Sequence, residues 1–259
     1  MLKNILYTTI VIFCFSIFWQ IGEDIVNVSR HQQNETSLEA FIPTPLTIIK
    51  TFINNGDRLI REANYTLGRA FLGFMIGTLL AIMVSVFFLF FPFFRNIFFP
   101  FAFAINSFPI IGLAPAIIIA FGQGSWLSIV FISTLICYFP ILISLDTAYK
   151  NIDNEIIEIM QVFNANRMQI FLKVQLPLVL PYLFMAMKLA IPANIIGAIL
   201  GEWLGSRTGL GQLITIALYQ LKPGLLYASL FLIVAFSLIS ILFLTLLEHL
   251  LFPWKRKNN

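Results

Sequence analysis

The sequence is poor in charge. Only 11% of its 259 residues are Asp, Glu, Lys or Arg, whereas an ordinary soluble domain carries about 25%. So few ionised side chains do not cover the surface of a 29.5 kDa globule in water. Apolar residues make up 59% of the chain and the mean hydropathy is +0.91, which excludes a disordered chain and indicates lipid as the surrounding medium. A net charge of +4 is too small to indicate a nucleic-acid-binding surface.

Cysteine, histidine and catalytic motifs are also scarce. The two cysteines, Cys14 and Cys137, both lie in apolar runs, which excludes a disulfide-stabilised scaffold. The two histidines, His31 and His249, are far apart in sequence, so no histidine-based metal site is expected. The sequence contains no Gly-x-x-x-x-Gly-Lys-Ser/Thr phosphate loop, no Gly-x-Ser-x-Gly elbow and no His-Glu-x-x-His helix. We therefore expect no catalytic residue, metal or cofactor in this chain.

Long apolar runs make up most of the sequence, at residues 5–21, 65–91, 97–121, 126–149, 178–204 and 225–250. As helices with a rise of 1.5 Å per residue they are long enough to cross a bilayer core of about 30 Å. The first run lacks a small-x-small cleavage pattern, which favours an uncleaved span over a signal peptide. The sequence predicts an all-α polytopic membrane protein with six transmembrane helices, forming one domain over residues 1–259.

Basic residues near the ends of the runs indicate the orientation. The clearest group, Lys255, Arg256 and Lys257, directly follows the last run and is expected in the cytoplasm. Counting back over six spans puts both termini in the cytoplasm, together with the loop at residues 151–176. Segment 22–64 then lies outside, and residues 57–62 predict a short interfacial helix before the second span. The expected location is the cell (inner or plasma) membrane.

The loop after the fourth run has the pattern of a short amphipathic helix. Asp153 is suited to cap a helix whose first turn contains Glu155. Apolar residues up to Phe163 give it a broad apolar face over about ten residues. Asn164 follows, and Asn tolerates the left-handed conformation of a helix stop. A second helical stretch is predicted at residues 167–174. In water, such an apolar face either lies on lipid headgroups against its own bundle or inserts into a partner protein.

This loop resembles the cytoplasmic signature loop of ABC-importer permeases, the membrane subunits of binding-protein-dependent transport systems. That loop has the form Glu-Ala-Ala, three residues, Gly, and then a longer spacer to Leu-Pro. Here the spacing is kept although both alanines are replaced, and the closing Leu-Pro is expected to turn the chain back into the membrane. The matching positions are Glu158 for the Glu, Ile159 and Met160 for the alanines, Asn164 for the Gly, and Leu176 and Pro177 for the closing pair.

Further stretches resemble the nitrate/sulfonate/taurine-type permeases, and they occur in the same order. The resemblance covers a core at residues 42–252, preceded at residues 1–41 by the first span and the start of the outer loop. It implies the type I ABC importer permease fold. The matching stretches are IPTPLTII at residues 42–49, TLGRAFLGF at 66–74, PIIGLAPAIIIAFGQG at 109–124, and GEWLG with GLG at 201–211.

The resemblance implies a transport subunit rather than an enzyme. Its partners would be a second permease copy, two ATP-binding-cassette ATPases that bind ATP and Mg, and an external solute-binding protein. The expected cargo is a nitrate-, sulfonate- or taurine-like anion or a pyrimidine vitamin precursor. An integral-membrane enzyme or scaffold unrelated to ATP-driven uptake is the alternative. The helix in loop 151–176 would dock on the ATPase through Glu155, Glu158, Met160, Phe163 and Asn164, with Leu176 and Pro177 closing the loop.

Ionisable residues within the runs are candidates for the translocation path or gate, because a charge in hydrocarbon costs about 2.5 kcal/mol or more. They are Asp146, Lys188 and Glu202, with Glu248 near a cytoplasmic span end. Lys188 either pairs with Asp146 across spans four and five or extends towards the interface. Glu202 either shapes the outer gate or the contact with the binding protein, or it is a hydrated acid at the end of its span.

Overall fold

The computed structural model describes Trp19 and residues 43–252, and within these ranges the regular structure is helical without a strand. The predicted first span, residues 5–21, lies outside the described residues except for Trp19, whose ring stacks 6.2 Å from that of Phe231. The all-α class is confirmed. In chain order the helices are α1 (Pro45–Phe90), α2 (Pro92–Ser107), α3 (Ile110–Phe121), α4 (Trp126–Lys150), α5 (Asn154–Val162), α6 (Arg167–Ile170), a π-helical turn (Phe171–Gln175), α7 (Leu176–Gly205), α8 (Leu210–Tyr219) and α9 (Pro223–Leu251).

Four of the described helical segments are long and apolar enough to cross a membrane: α1, α4, α9, and α7 with the turns that precede it. Helices α2 and α3 add a fifth span if they are counted together, but they are bent by 96°. The run at residues 97–121, predicted as one span, therefore consists of parts of two helices that meet at a sharp break. Phe108 has extended dihedral angles (φ −71°, ψ 131°) and stands directly before Pro109. The proline ring disfavours the helical conformation of the residue before it, which explains the break.

Helix α1 begins much earlier than predicted. Thr44 caps it by accepting a hydrogen bond from the amide of Thr47, and Pro45 is its first residue. Residues 57–62 are helical and lead into the second span as predicted, but they are not a short helix of their own, because α1 continues through them. The loop predicted before them is wrong for residues 45–56, which are also helical, with a kink at Asn55. In the N-terminal half of α1, the side chain of Leu59 is buried among residues of α8 and α9. This tertiary packing stabilises a segment that local hydropathy marks as polar.

The approach to α7 also differs from the prediction. No turn occurs at Leu176–Pro177, because α6 continues through the π-helical turn directly into α7. Pro177 directly follows this π-helical turn, and a proline ring disturbs the hydrogen bonds of the helical turn before it. The predicted fourth, fifth and sixth spans are confirmed as α4, α7 and α9 to within about two residues at each end.

Helix α4 lies at the centre of the bundle, between α1 and α7, and glycines allow the backbones to approach closely. A Cβ atom added at Gly73 of α1 would lie 2.6 Å from the Cβ of Ser133, and one at Gly197 of α7 would lie 2.7 Å from Cδ1 of Ile136. Gly77 and Gly201 follow four residues later on each helix. Such small-xxx-small spacing is typical of close helix pairs in membranes.

We expect Gly73→Val to disrupt the packing of α1 on α4. The new side chain would displace Ser133 and also meet the carbonyl oxygen of Val130, 3.0 Å from the added Cβ, and such overpacking costs about 1–3 kcal/mol. Gly68→Val on the same helix is the matched control, because nothing lies within 4 Å of its Cβ position. Thermal unfolding in detergent should show a lower midpoint for Gly73→Val alone. Equal midpoints for the two variants would contradict the close packing.

The bundle has two ends, which we name after the helices found there. At the α5 end, the ring of Phe90 at the end of α1 contacts that of Phe171 before α7, with centroids 5.6 Å apart. At the α8 end, the amide of Gly124 before α4 donates to the carbonyl of Gly205 at the end of α7, over 2.8 Å. The helices run between these ends, so the polar groups described below belong to one end or the other.

Candidate functional site

Helix α5 is stabilised by the local signals predicted for it. Asp153 is its N-cap, and the carboxylate accepts a hydrogen bond of 3.0 Å from the amide of Glu155. Asn164 follows the helix with a positive φ of 56°. Its amide donates to the carbonyl of Gln161, and the next amide, that of Ala165, donates to Met160. The predicted amphipathic helix and its asparagine stop are thereby confirmed.

No residue of α5 is buried. Val162 is 84% and Phe163 78% exposed, and Ile159 is also exposed. We call these three residues the α5 tip. Burying side chains of this kind contributes about 1.5–3 kcal/mol each. Glu155 and Glu158 are exposed on the same helix, so α5 offers an apolar tip together with carboxylates.

The segments on both sides of α5 connect it firmly to the central helices. Before α5, Ile152 is buried in a core cluster that includes Leu145 of α4, and Ile157 of α5 packs against that cluster. After α5, Asn166 and Gln169 form a reciprocal capping box at the start of α6, which continues into α7. Short, ordered segments therefore connect α5 to α4 on one side and, through α6, to α7 on the other.

A cluster of charges lies close to α5, in the last turns of α4. The carboxylate of Asp146, 8% exposed, accepts two hydrogen bonds from Arg95 of α2: 2.5 Å from Nε to Oδ1 and 2.9 Å from Nη2 to Oδ2. Lys150 adds an ion pair of 3.1 Å to Oδ2. The guanidinium of Arg95 and the ammonium of Lys150 both lie over the ring of Phe99, at 5.3 and 5.7 Å. We call these four residues the Asp146 cluster.

Lys188 of α7 forms an ion pair with Glu248 of α9. The predicted pairing of Lys188 with Asp146 is therefore wrong. Asp146 already accepts hydrogen bonds from Arg95, which belongs to α2, a helix whose position only the tertiary structure reveals. Both ion pairs match acids and bases that would otherwise be costly in hydrocarbon.

We expect the Lys188–Glu248 pair to be more sensitive to loss of one partner than to loss of both. Lys188→Met or Glu248→Met alone removes one partner of this partly buried ion pair, at a cost of about 3 kcal/mol. The double variant with methionine at both positions should unfold close to the wild-type temperature in detergent. A double variant that is less stable than either single variant would show that the pair is not the relevant contact.

Glu202 lies at the α8 end and is fully buried, with 0% of its surface exposed. Its carboxylate accepts hydrogen bonds from the hydroxyl of Thr66, from Nη1 of Arg69 and from the amide of Gly211, over 2.8 to 3.0 Å. The alternative of a hydrated acid at the end of a span is therefore wrong. Arg69 also donates to the carbonyl and hydroxyl oxygens of Thr208. This Glu202 network connects α1, α7 and the chain leading into α8.

The same network satisfies the first amides of α8, a helix that the sequence reading did not predict. The amide of Gly209 donates to Glu62, that of Leu210 to the hydroxyl of Thr66, and that of Gly211 to Glu202. The first amides of a helix lack partners within the helix, and negative charge is favourable at this end. Thr66 and Arg69 were missed as partners of Glu202, although both lie in a stretch marked by the resemblance.

The described residues also form a cavity and a cleft near the charged groups described above. A cavity of about 430 Å³ between α1, α2, α3 and α4 is lined mainly by aromatic and aliphatic side chains, among them Phe88, Phe98 and Tyr138. A polar cleft of about 550 Å³ at the α8 end is lined by Gln123, Trp203 and Arg207 among others. Within residues 43–252, no group of three or more His, Cys, Asp or Glu side chains could hold a metal ion.

These features define a polytopic helical membrane protein that presents an exposed helix between two central spans. The sequence profile of the family described as "Binding-protein-dependent transport system inner membrane component" matches residues 73–257. The chain belongs to this family and is a permease subunit of an ATP-binding-cassette importer. The family resemblance identified from the loop motif is confirmed. The predicted role as a transport subunit rather than an enzyme is also confirmed.

Relatives in this family transport different compounds. The chain is 26% identical over 218 residues to the formylaminopyrimidine transport permease protein ThiX of Halalkalibacterium halodurans, which covers 84% of this chain and 87% of that protein. It is 36% identical over 152 residues to the riboflavin transport system permease protein RibX of Chloroflexus aurantiacus, covering 59% and 56%. It is 26% identical over 142 residues to the nitrate import permease protein NrtB of Leptolyngbya laminosa, covering 55% and 48%.

Proposed function

We propose that this permease works as a homodimer that carries a small polar nutrient through the cell membrane. Two ATP-binding-cassette ATPases bind at its α5 end and an external solute-binding protein delivers the cargo at its α8 end. The ATPases hold ATP and Mg. Residues 1–259 form one transmembrane domain, and both termini and α5 face the cytoplasm.

The exposed α5 tip is the observation that carries this proposal. Val162 and Phe163 are largely exposed, and large exposed apolar side chains next to one another are typical of a docking site. Met160 completes the apolar contact with the ATPase, while Glu155 and Glu158 bind basic groups of the ATPase at the edge of this contact. Asn164 ends the helix, and Leu176 and Pro177 begin the span to which movement is transmitted.

The cargo is either a nitrate-, sulfonate- or taurine-like anion or a pyrimidine vitamin precursor. Relatives named for a formylaminopyrimidine and for nitrate support both classes. The cargo passes between the two copies, and three ionisable residues hold the helices that form the path and its gates. These residues are Asp146 and Lys188 towards the α5 end and Glu202 at the α8 end.

The test is purification of the permease with its co-expressed ATPase and binding protein. We expect the ATPase to remain bound through affinity and size-exclusion steps, and ATP hydrolysis to rise when loaded binding protein is added. Val162→Asp should lose the ATPase, whereas Gln123→Asp at the opposite end should retain it. A permease that purifies alone, or that binds an ATPase whose turnover ignores the binding protein, would favour the alternative of a scaffold unrelated to uptake.

A further inference from the structure

Helix α2, the first part of the broken span, has little buried surface, whereas α3 is held by Ala114 and Ile118, which are buried against Ile132 of α4. None of the 16 residues of α2 is buried, and α3 leaves it at an angle of 96°. The chain on the far side of α3 passes through Gly122 and Gly124, both with positive φ, before α4 begins. A helix with so little buried surface changes position at a lower cost than α1, α4 or α7.

One ion pair connects this loosely packed helix, α2, to the rest of the described chain. Among the ion pairs within residues 43–252, only Arg95–Asp146 involves α2. The pair is bidentate, with Nε and Nη2 of Arg95 on the two carboxylate oxygens. Such fork-shaped pairs fix orientation as well as distance. Asp146 is largely buried, so the contact is screened by water less than a surface pair is.

Asp146 also lies close to the connection between α4 and α5. It occupies the last turns of α4, and only residues 151–153 separate α4 from α5. Ile152 in this connection is buried in the core cluster that contains Leu145, the residue next to Asp146. The carboxylate therefore lies on the part of α4 that leads directly into α5, and its bidentate contact is with the first turn of α2.

We propose that Arg95 and Asp146 are positioning residues that couple α5 to α2, so that docking and ATP-driven displacement at α5 shift α2. The proposal rests on the proposed function, since it assumes that α5 is where the ATPase acts. Lys150, which is more than half exposed, supports the carboxylate from the outside and is not required for the link.

The test uses the complete permease–ATPase complex in lipid nanodiscs, in a Cys14→Ser background. The remaining native cysteine, Cys137, is fully buried. Ser107→Cys at the end of α2 and Gln161→Cys on α5 are two exposed reporters, whose rates of maleimide labelling are measured without nucleotide and after trapping with Mg-ATP and vanadate. In the otherwise unchanged complex we expect nucleotide-dependent, several-fold changes of rate at both reporters.

Asp146→Asn and Arg95→Gln should abolish the change at the α2 reporter and leave the change at the α5 reporter. Lys150→Gln is the matched control and should retain both. An α2 reporter that still responds in both single variants, or that is silenced equally by Lys150→Gln, would overturn the proposed link.

The complex that carries both reporters and an unchanged Arg95–Asp146 pair provides a second readout. This readout does not depend on whether the Arg95 and Asp146 variants assemble with the ATPase. Across nucleotide-free, ATP-bound and vanadate-trapped states, the two labelling rates should change together. A change at α5 without one at α2 overturns the link between them. An α5 reporter that neither the ATPase nor any nucleotide affects overturns the proposed function itself, so the two failures are distinguishable.

Discussion

Glu202→Gln is expected to lower the stability of the bundle by about 3–5 kcal/mol, because it leaves a largely buried arginine without its counter-ion. Arg69 has only 12% of its side chain exposed, and its partner Glu202 has none. The substitution also weakens the acceptor for the amide of Gly211 at the start of α8. We expect a large fall in the unfolding midpoint in detergent and a lower yield from membranes.

Asp57→Asn is the matched control, because Asp57 is an exposed acid on α1, the helix that contributes Thr66 to the network. It removes the same charge without touching Glu202 and should leave the midpoint within about 0.5 kcal/mol of the original. If Glu202→Gln were as mild as Asp57→Asn, the network would be a surface contact and the gate role proposed for Glu202 would lose its support.

Ile159→Pro is expected to abolish the working contact with the ATPase while leaving the permease in the membrane. The proline removes an internal hydrogen bond of α5 and clashes with the preceding turn, at a cost of about 3 kcal/mol. If docking needs the intact helix, this cost corresponds to about a 100-fold loss of affinity. Retention of the ATPase and uptake into proteoliposomes should therefore both fall towards background.

The matched control is Asn154→Pro at the first residue of α5. Proline is tolerated at that position, since the amide there has no partner in the helix. Asp153 before it is already extended, with φ −60° and ψ 123°, as a residue before proline requires. Normal uptake in the Ile159→Pro variant would contradict the coupling role of α5, and equal loss in the Asn154→Pro variant would indicate general damage to the loop.

The parts of the fold that depend on local signals were predictable from sequence. Asp153 and Asn164 define α5 through capping and a left-handed stop, and both are short-range effects. The spans at α4, α7 and α9 follow from runs of apolar residues, because the bilayer requires each such segment to satisfy its own backbone.

The parts that depend on distant contacts were not predictable. The start of α1 at Pro45 is stabilised by packing on α8 and α9, which are more than a hundred residues away. Asp146 pairs with Arg95 and Lys188 pairs with Glu248, whereas the sequence left open whether Lys188 pairs with Asp146 or extends towards the interface. Pro109 was visible in the sequence, but its membrane context allowed either a tolerated kink or the observed break.

The Glu202 network is a further contact between distant parts of the chain that the sequence did not predict. The stretches 66–74 and 201–211 were both marked by the family resemblance, one as a span opening and the other as an acidic, glycine-rich segment. Their meeting through Thr66, Arg69 and Glu202 is a tertiary contact that neither stretch encodes alone. The sequence identified Glu202 as a candidate because it is an acid within an apolar run. The structure identifies Thr66 and Arg69 as its partners.

Site-specific photocross-linking of the assembled complex tests the central claim most directly. A photoreactive residue placed at Val162 on the α5 tip should cross-link to the ATPase. The same residue at Tyr219 on α8, 83% exposed against 84% for Val162, should not. Cross-linking to the ATPase from Tyr219 but not from Val162 would contradict both the docking role of α5 and the orientation of the bundle.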